Sequence, residues 1–213
     1  DQIARIETGI REGAVIAPAM LPMRIHEIAA VAKSAAMDND ELNSYRQSRT
    51  ASIWKLVMGD QPPELFDSQH LSLVGTPPTA RLSEIAALAE QNVATMQRML
   101  RSSDRPFIRG RATLFVLEKR YDLSEFGKMA EQIDLPGGLP GYWRHSVVDA
   151  YAVVVVPADE PLEPSVVNLT RQLAALHIAD LSPTVPDWFA DGVALWMTAK
   201  IHRDQAETRS WQD

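Results

Sequence analysis

Two short runs of residues constrain this chain most. Ala112-Thr113-Leu114-Phe115-Val116-Leu117 and Ala152-Val153-Val154-Val155-Val156 are apolar almost without interruption. A strand with one wet face alternates apolar and polar residues, whereas a strand buried on both faces does not. The first run therefore reads as a buried strand. The second follows an alternating stretch in which Trp143, His145, Val147, Asp149 and Tyr151 share one face. That leaves two readings of 142–156: one long strand, or a turn followed by a buried strand. His70-Leu71-Ser72-Leu73-Val74, ending at Gly75, is a third strand candidate.

Helical spacing surrounds these runs. Arg81 to Arg101 carries Ile85, Leu88, Ala89, Val93 and Met96 on one stripe, the mark of an amphipathic helix. A short helix is expected from Leu123 to Gln132, another from Ser165 to about Ala179, and a last one opened by Pro186 and reaching about Ile201. Pro136-Gly137-Gly138-Leu139-Pro140-Gly141 can only be a loop. Ahead of His70, Ile25, Ile28, Ala29 and Ala32 recur at helical spacing, and Asn39 to Met58 reads as a second helix. Gly59-Asp60-Gln61-Pro62-Pro63 breaks it. The expected organisation is a helical N-terminal region over 1–66, an α+β domain over 67–203 and a polar tail over 204–213.

Composition narrows the function classes. The 213 residues are 46 % apolar and 23 % charged, enough for one large domain or a domain with an appendage. No apolar run approaches the roughly 18 residues that cross a bilayer. The net charge of -7 argues against nucleic-acid binding, which needs a basic face. The absence of cysteine removes disulfides, thiol catalysis and thiolate metal sites. The chain opens on Asp1 without a signal-peptide pattern, so a processed or excised piece of a longer product is expected.

The order from His70 onward ends in Val185-Pro186-Asp187-Trp188-Phe189-Ala190-Asp191-Gly192-Val193-Ala194. This stretch resembles the C-terminal helix of gluzincin-like peptidases, of the peptidase MA-like superfamily. There a Pro-x-Trp-hydrophobic-x-Glu-Gly-hydrophobic-Ala sequence supplies the third zinc ligand. His70 to Val74 looks like the strand that opens those domains, and Arg111 to Met129, with Glu125-Phe126, like their strand and short helix. The resemblance runs from about Ser68 to Lys200. It implies a zincin-like α+β fold with a small mixed β-sheet packed on helices, and it favours an extracytoplasmic or cell-envelope setting.

In that family the preceding helix carries His-Glu-x-x-His, two zinc ligands four residues apart and a general base between them. Here that helix reads Asn168-Leu169-Thr170-Arg171-Gln172-Leu173-Ala174-Ala175-Leu176-His177. One register puts Arg171 at the first His, Gln172 at the Glu, Ala175 at the second His and Asp191 at the downstream Glu. Arg is always protonated and has no lone pair to give, Gln accepts no proton at neutral pH, and Ala has no donor atom. A second register uses His177 as second ligand, with Leu173 and Ala174 in the other places. Neither register leaves a zinc site, so no metal and no cofactor are expected. Two readings of Arg171 stand: an ion pair with Asp191 in the metal's place, tying the two helices together, or a solvated arginine on the helix surface, the default for this residue type.

Other candidates carry less. His26-Glu27 lacks the second histidine, since Ala30 stands in its place. Among His26, His70, His145, His177 and His202 no two are three to five apart, so no helical pair chelates. His177 and Asp180 would share a helix face. Trp143, His145, Asp149 and Tyr151 share the polar face of the strand candidate, which reads either as an ordinary exposed strand face or as the lining of a groove able to take a peptide by strand addition. Trp188, Phe189, Trp196 and Met197 on the last helix read as core. No Gly-x-Ser-x-Gly elbow or phosphate loop is present. The expected function is that of a non-catalytic pseudo-peptidase domain with a structural or protein-interaction role, its partner being a protein or larger assembly. Two alternatives stand beside it: a hydrolase with a rearranged site using His145, His177, Asp149 or Asp191, and an unrelated α+β binding module.

Overall fold

A computed structural model describes residues 36–146, 148–182 and 185–203 of the chain. The expectations for Ile25 to Ala32, for His26-Glu27 and for the tail 204–213 lie outside the described residues.

The first described helix, α1 (Asn39–Met58), coincides with the expected one because both its ends are written locally. Asp38 accepts from the N–H groups of Asp40 and Glu41, both at 2.9 Å, and Glu41 reaches back to the Asp38 N–H at 3.1 Å. This reciprocal cap satisfies main-chain donors that the first turn leaves without partners. Gly59, at φ +64°, ends the helix in a conformation that side chains disfavour.

Next come β1 (Glu64–Asp67), β2 (Leu71–Gly75), α2 (Thr79–Met99), β3 (Ala112–Leu117) and α3 (Arg120–Phe126), which runs into a π-helical turn at Gly127–Glu131. Then follow β4 (Gly141–His145), β5 (Ala150–Val155), α4 (Leu162–Leu181) and α5 (Asp187–Ile201). The strands form one mixed sheet in the order β1-β2-β3-β5-β4. β2, β3 and β5 are parallel, and the edge strands β1 and β4 run antiparallel to their neighbours. The fold is thus α+β, as the sequence suggests.

Both faces of the sheet are covered. Leu114 and Val116 of β3 point to one core, shared with Leu82 and Ile85 of α2, Leu173 and Leu176 of α4, and Ala194 and Met197 of α5. Phe115 and Leu117 point to the other, shared with Trp54 of α1 and Leu123 and Phe126 of α3. This two-sided burial is why the Ala112–Leu117 run has no polar alternation. Each fully buried side chain of this size contributes about 1.5–3 kcal/mol relative to exposure. Among the described residues no helix is long and apolar enough to cross a membrane.

Two expectations are corrected. Glu64 to Phe66, read as the end of a helical region, belong to β1. Pro62 and Pro63 stop helical hydrogen bonding, and the residues after them add to the sheet. The segment 142–156 is a hairpin, β4–β5, with Arg144 opposite Tyr151 and His145 opposite Ala150. Of its two readings, the turn is the one adopted. Ser146 makes the bend, its hydroxyl accepting from the Asp149 N–H at 2.8 Å.

Candidate functional site

The positions aligned with a zinc site lie where α4, α5 and β4 meet. Ala175 is fully buried in the sheet-facing core. Gln172 is buried too, and its Nε2 donates to Asn168 Oδ1 at 2.9 Å. Asn168 Nδ2 in turn donates to the Pro140 carbonyl at 3.0 Å. Arg171 is half-buried. No ion pair joins it to Asp191 among the described residues. The Asp191 carboxylate instead accepts the Trp143 indole N–H at 2.9 Å. Of the two readings of Arg171, the pair with Asp191 is not the one adopted: Trp143 packs from β4 against the core and donates to the carboxylate in its place.

The second register fares no better as a ligand set. Leu173 and Ala174 are fully buried. His177 is buried between Phe107 and Ser102, with Nδ1 at 2.5 Å from the Phe107 carbonyl and Nε2 at 3.1 Å from Ser102 Oγ. Only a hydrogen-bearing Nδ1 can approach a carbonyl so closely, so Nε2 accepts from the serine. Its ring stacks on Phe107 at 4.8 Å. Burial lowers the imidazole pKa below its ordinary value, although the Phe107 carbonyl and Asp180 act the other way. Both ring nitrogens of His177 are thus satisfied within the core, and Asp180, three residues further along the same helix, turns its carboxylate to His145 at 3.2 Å. Among the described residues no three His, Asp or Glu side chains converge as metal ligands.

The expected groove of Trp143, His145, Asp149 and Tyr151 is not one surface. The hairpin places Trp143 and His145 on the α4–α5 side. Tyr151 lies on the opposite side, edge-on to Phe115 at 5.6 Å. Asp149 sits in the turn and is held by Arg49 of α1 through two bonds of 2.6 and 2.7 Å. The expectation that Trp188, Phe189 and Trp196 are core is corrected as well. They are 74 %, 46 % and 51 % exposed, while Ala190, Ala194 and Met197 form the buried stripe.

Two features escaped the sequence. Glu90 of α2 accepts from His70 Nδ1 at 2.6 Å, the His70 N–H at 2.8 Å and Ser68 Oγ at 2.6 Å. Burial pushes this carboxyl up, but the three donors together hold it below its ordinary value. Nothing in the spacing of residues 68, 70 and 90 signals the cluster. The other feature is a cleft of about 670 Å³ between the flank of α1, the Gly59–Pro63 loop and the α1-facing side of β1 and β2. Trp54, Leu65 and Val74 line it with Lys55, Asp67 and Arg111.

No protein-family model matches this chain, and no curated protein or solved structure matches it.

Proposed function

We propose that the chain is a non-catalytic, peptidase-like domain with a structural or protein-interaction role within a larger protein or complex. The hydrogen bond from Trp143 to Asp191 carries this reading. The one carboxylate at a ligand position already accepts an indole N–H, and the facing helix offers Gln172, which is tied to Asn168, and Ala175, which has no donor. A catalytic zinc needs three protein ligands and an open position. The residues here give at most one ligand.

The hydrolase alternative draws no support from the site's geometry. Asp149 is held by Arg49, His145 by Asp180 and Asp191 by Trp143, while His177 is closed in the core. Zinc content of purified, chelator-free protein tests the proposal. A domain of this kind carries no stoichiometric zinc, and one zinc per chain would sink the reading.

A further inference from the structure

The cleft beside α1 changes character along its length. Near the start of β3, helix and sheet are both polar. Thr50 Oγ1 lies 3.2 Å from Thr113 Oγ1, and Asn43 Oδ1 accepts the Arg111 N–H at 2.7 Å. Thr113 therefore faces α1, and its register partner Ser72 and, one strand further, Asp67 face the same way. Two residues along the strands the row is apolar: Leu65 stands opposite Val74, which packs with Trp54. The Trp54 indole N–H donates to the Gln61 carbonyl at 2.7 Å, which holds the Gly59–Pro63 loop against this end. Helix, sheet and loop thus enclose one space of about 670 Å³ with a polar end and an apolar end. Small-molecule sites share this size and this pairing of an apolar wall with a few polar groups.

The charges around this space are matched within the protein. Asp67 is paired with Arg111 at 3.2 Å. Arg46 donates to three main-chain carbonyls, and Asp180 and Asp149 act on it as opposing charges. Lys55 and Asp60 are exposed and opposite in sign. Neutral polar groups are left over instead. Ser72 Oγ, the Gln47 amide and Asn43 Nδ2 have no hydrogen-bond partner among the described residues. The geometry points to a binding site for an uncharged amphipathic small molecule. Its apolar body lies between Trp54, Leu65, Val74 and the Pro62–Pro63 wall, and its hydroxyl or amide head meets Ser72, Gln47 and Asn43. An ion of either sign would give up hydration on entry and meet no unmatched charge in return. A neutral head exchanges water for the three free groups at little cost. This site goes beyond the function proposed above. It shares no residue with the Trp143–Asp191 pair, so ligand binding and zinc binding fail or succeed separately.

The test is titration of the whole chain, followed by NMR, with three probes that share one tail and differ in the head: 1-octanol, octanoate and octylammonium at pH 7 and equal ionic strength. Octanol is expected to bind saturably, and the two ions about tenfold more weakly or worse. Contacts from the octanol methyl to Leu65 and Val74, and from its hydroxyl-bearing carbon to Ser72 and Thr113, are expected to fix its direction. Ala51 is an exposed α1 residue on the cleft wall. Ala51→Phe fills the space from the helix side, so octanol affinity drops about tenfold or more while the circular dichroism melt is kept. Leu65→Ser, at a position 63 % exposed, is the second variant and weakens octanol through loss of the apolar wall. Failure of octanol to saturate any site up to its solubility limit overturns the proposal. So does either ion binding as tightly as octanol, which would make the occupant a charged amphiphile. Octanol contacts elsewhere on the chain, or unchanged octanol affinity in both variants, overturn it as well.

Discussion

Arg46 decides whether α1 belongs to the same folding unit as the sheet, and replacing it with leucine measures that. The guanidinium is buried and donates to three main-chain carbonyls: Val148 at 2.9 Å, Arg109 at 2.6 Å and Arg111 at 2.9 Å. One side chain on α1 thus pins the turn after β4 and the loop before β3. Burial pulls its pKa down to about 10, so it is still charged at neutral pH. Leucine would leave three carbonyls without their donor, each costing about 1–3 kcal/mol where water does not replace it. Arg46 also lines the cleft, so water reaches part of the gap. Relief of the buried charge returns a further part. The net loss expected is about 3–4 kcal/mol. With a urea slope of about 2 kcal/mol per molar, the unfolding midpoint falls by about 1.5–2 M. Arg46→Lys recovers only part of this, because an ammonium cannot reproduce the fork. A loss below about 1 kcal/mol in Arg46→Leu would refute the reasoning and make α1 an appendage.

Three further outcomes follow from the geometry. His177 is held neutral by burial, so the native state resists a proton that the unfolded chain takes up near pH 6.5. The stability it contributes is present above that pH and falls as pH drops toward its folded value. Urea midpoints across this range should decline more steeply in the natural chain than in His177→Gln. Glu90 is held below its ordinary value, so its contribution is present above about pH 4.5 and lost below. Glu90→Gln should cost about 1–3 kcal/mol at pH 7, with the difference shrinking on acidification. A Cβ at Gly75 would stand 2.5 Å from the Val116 carbonyl, so Gly75→Ala should lower the melting temperature through about 1–3 kcal/mol of overpacking.

The strongly periodic or two-sidedly apolar elements were legible in the sequence. Asn39–Met58 has a cap at each end, and Ala112–Leu117 is buried on both faces, so local pattern suffices. β1 was hidden because four residues, Glu64–Asp67, carry too little alternation to mark an edge. The orientation of α5 was hidden for a different reason. Its apolar residues run almost all round, so spacing does not say that Ala190 and Ala194 face the core while Trp188 and Trp196 face out. The site depends on pairings across long separations. Trp143 meets Asp191 over 48 residues, and His177 meets Phe107 over 70. Aligning Arg171 with a metal position suggested an ion pair, but alignment fixes neither rotamer nor the competing donor from β4.

The most direct measurement is zinc titration by equilibrium dialysis of the natural chain beside Asp191→Asn. If Asp191 serves Trp143 rather than a metal, both proteins take up no saturable zinc. Trp143→Phe, which frees the carboxylate but adds no ligand, then does not gain any. One zinc per natural chain, lost in Asp191→Asn, would contradict the account.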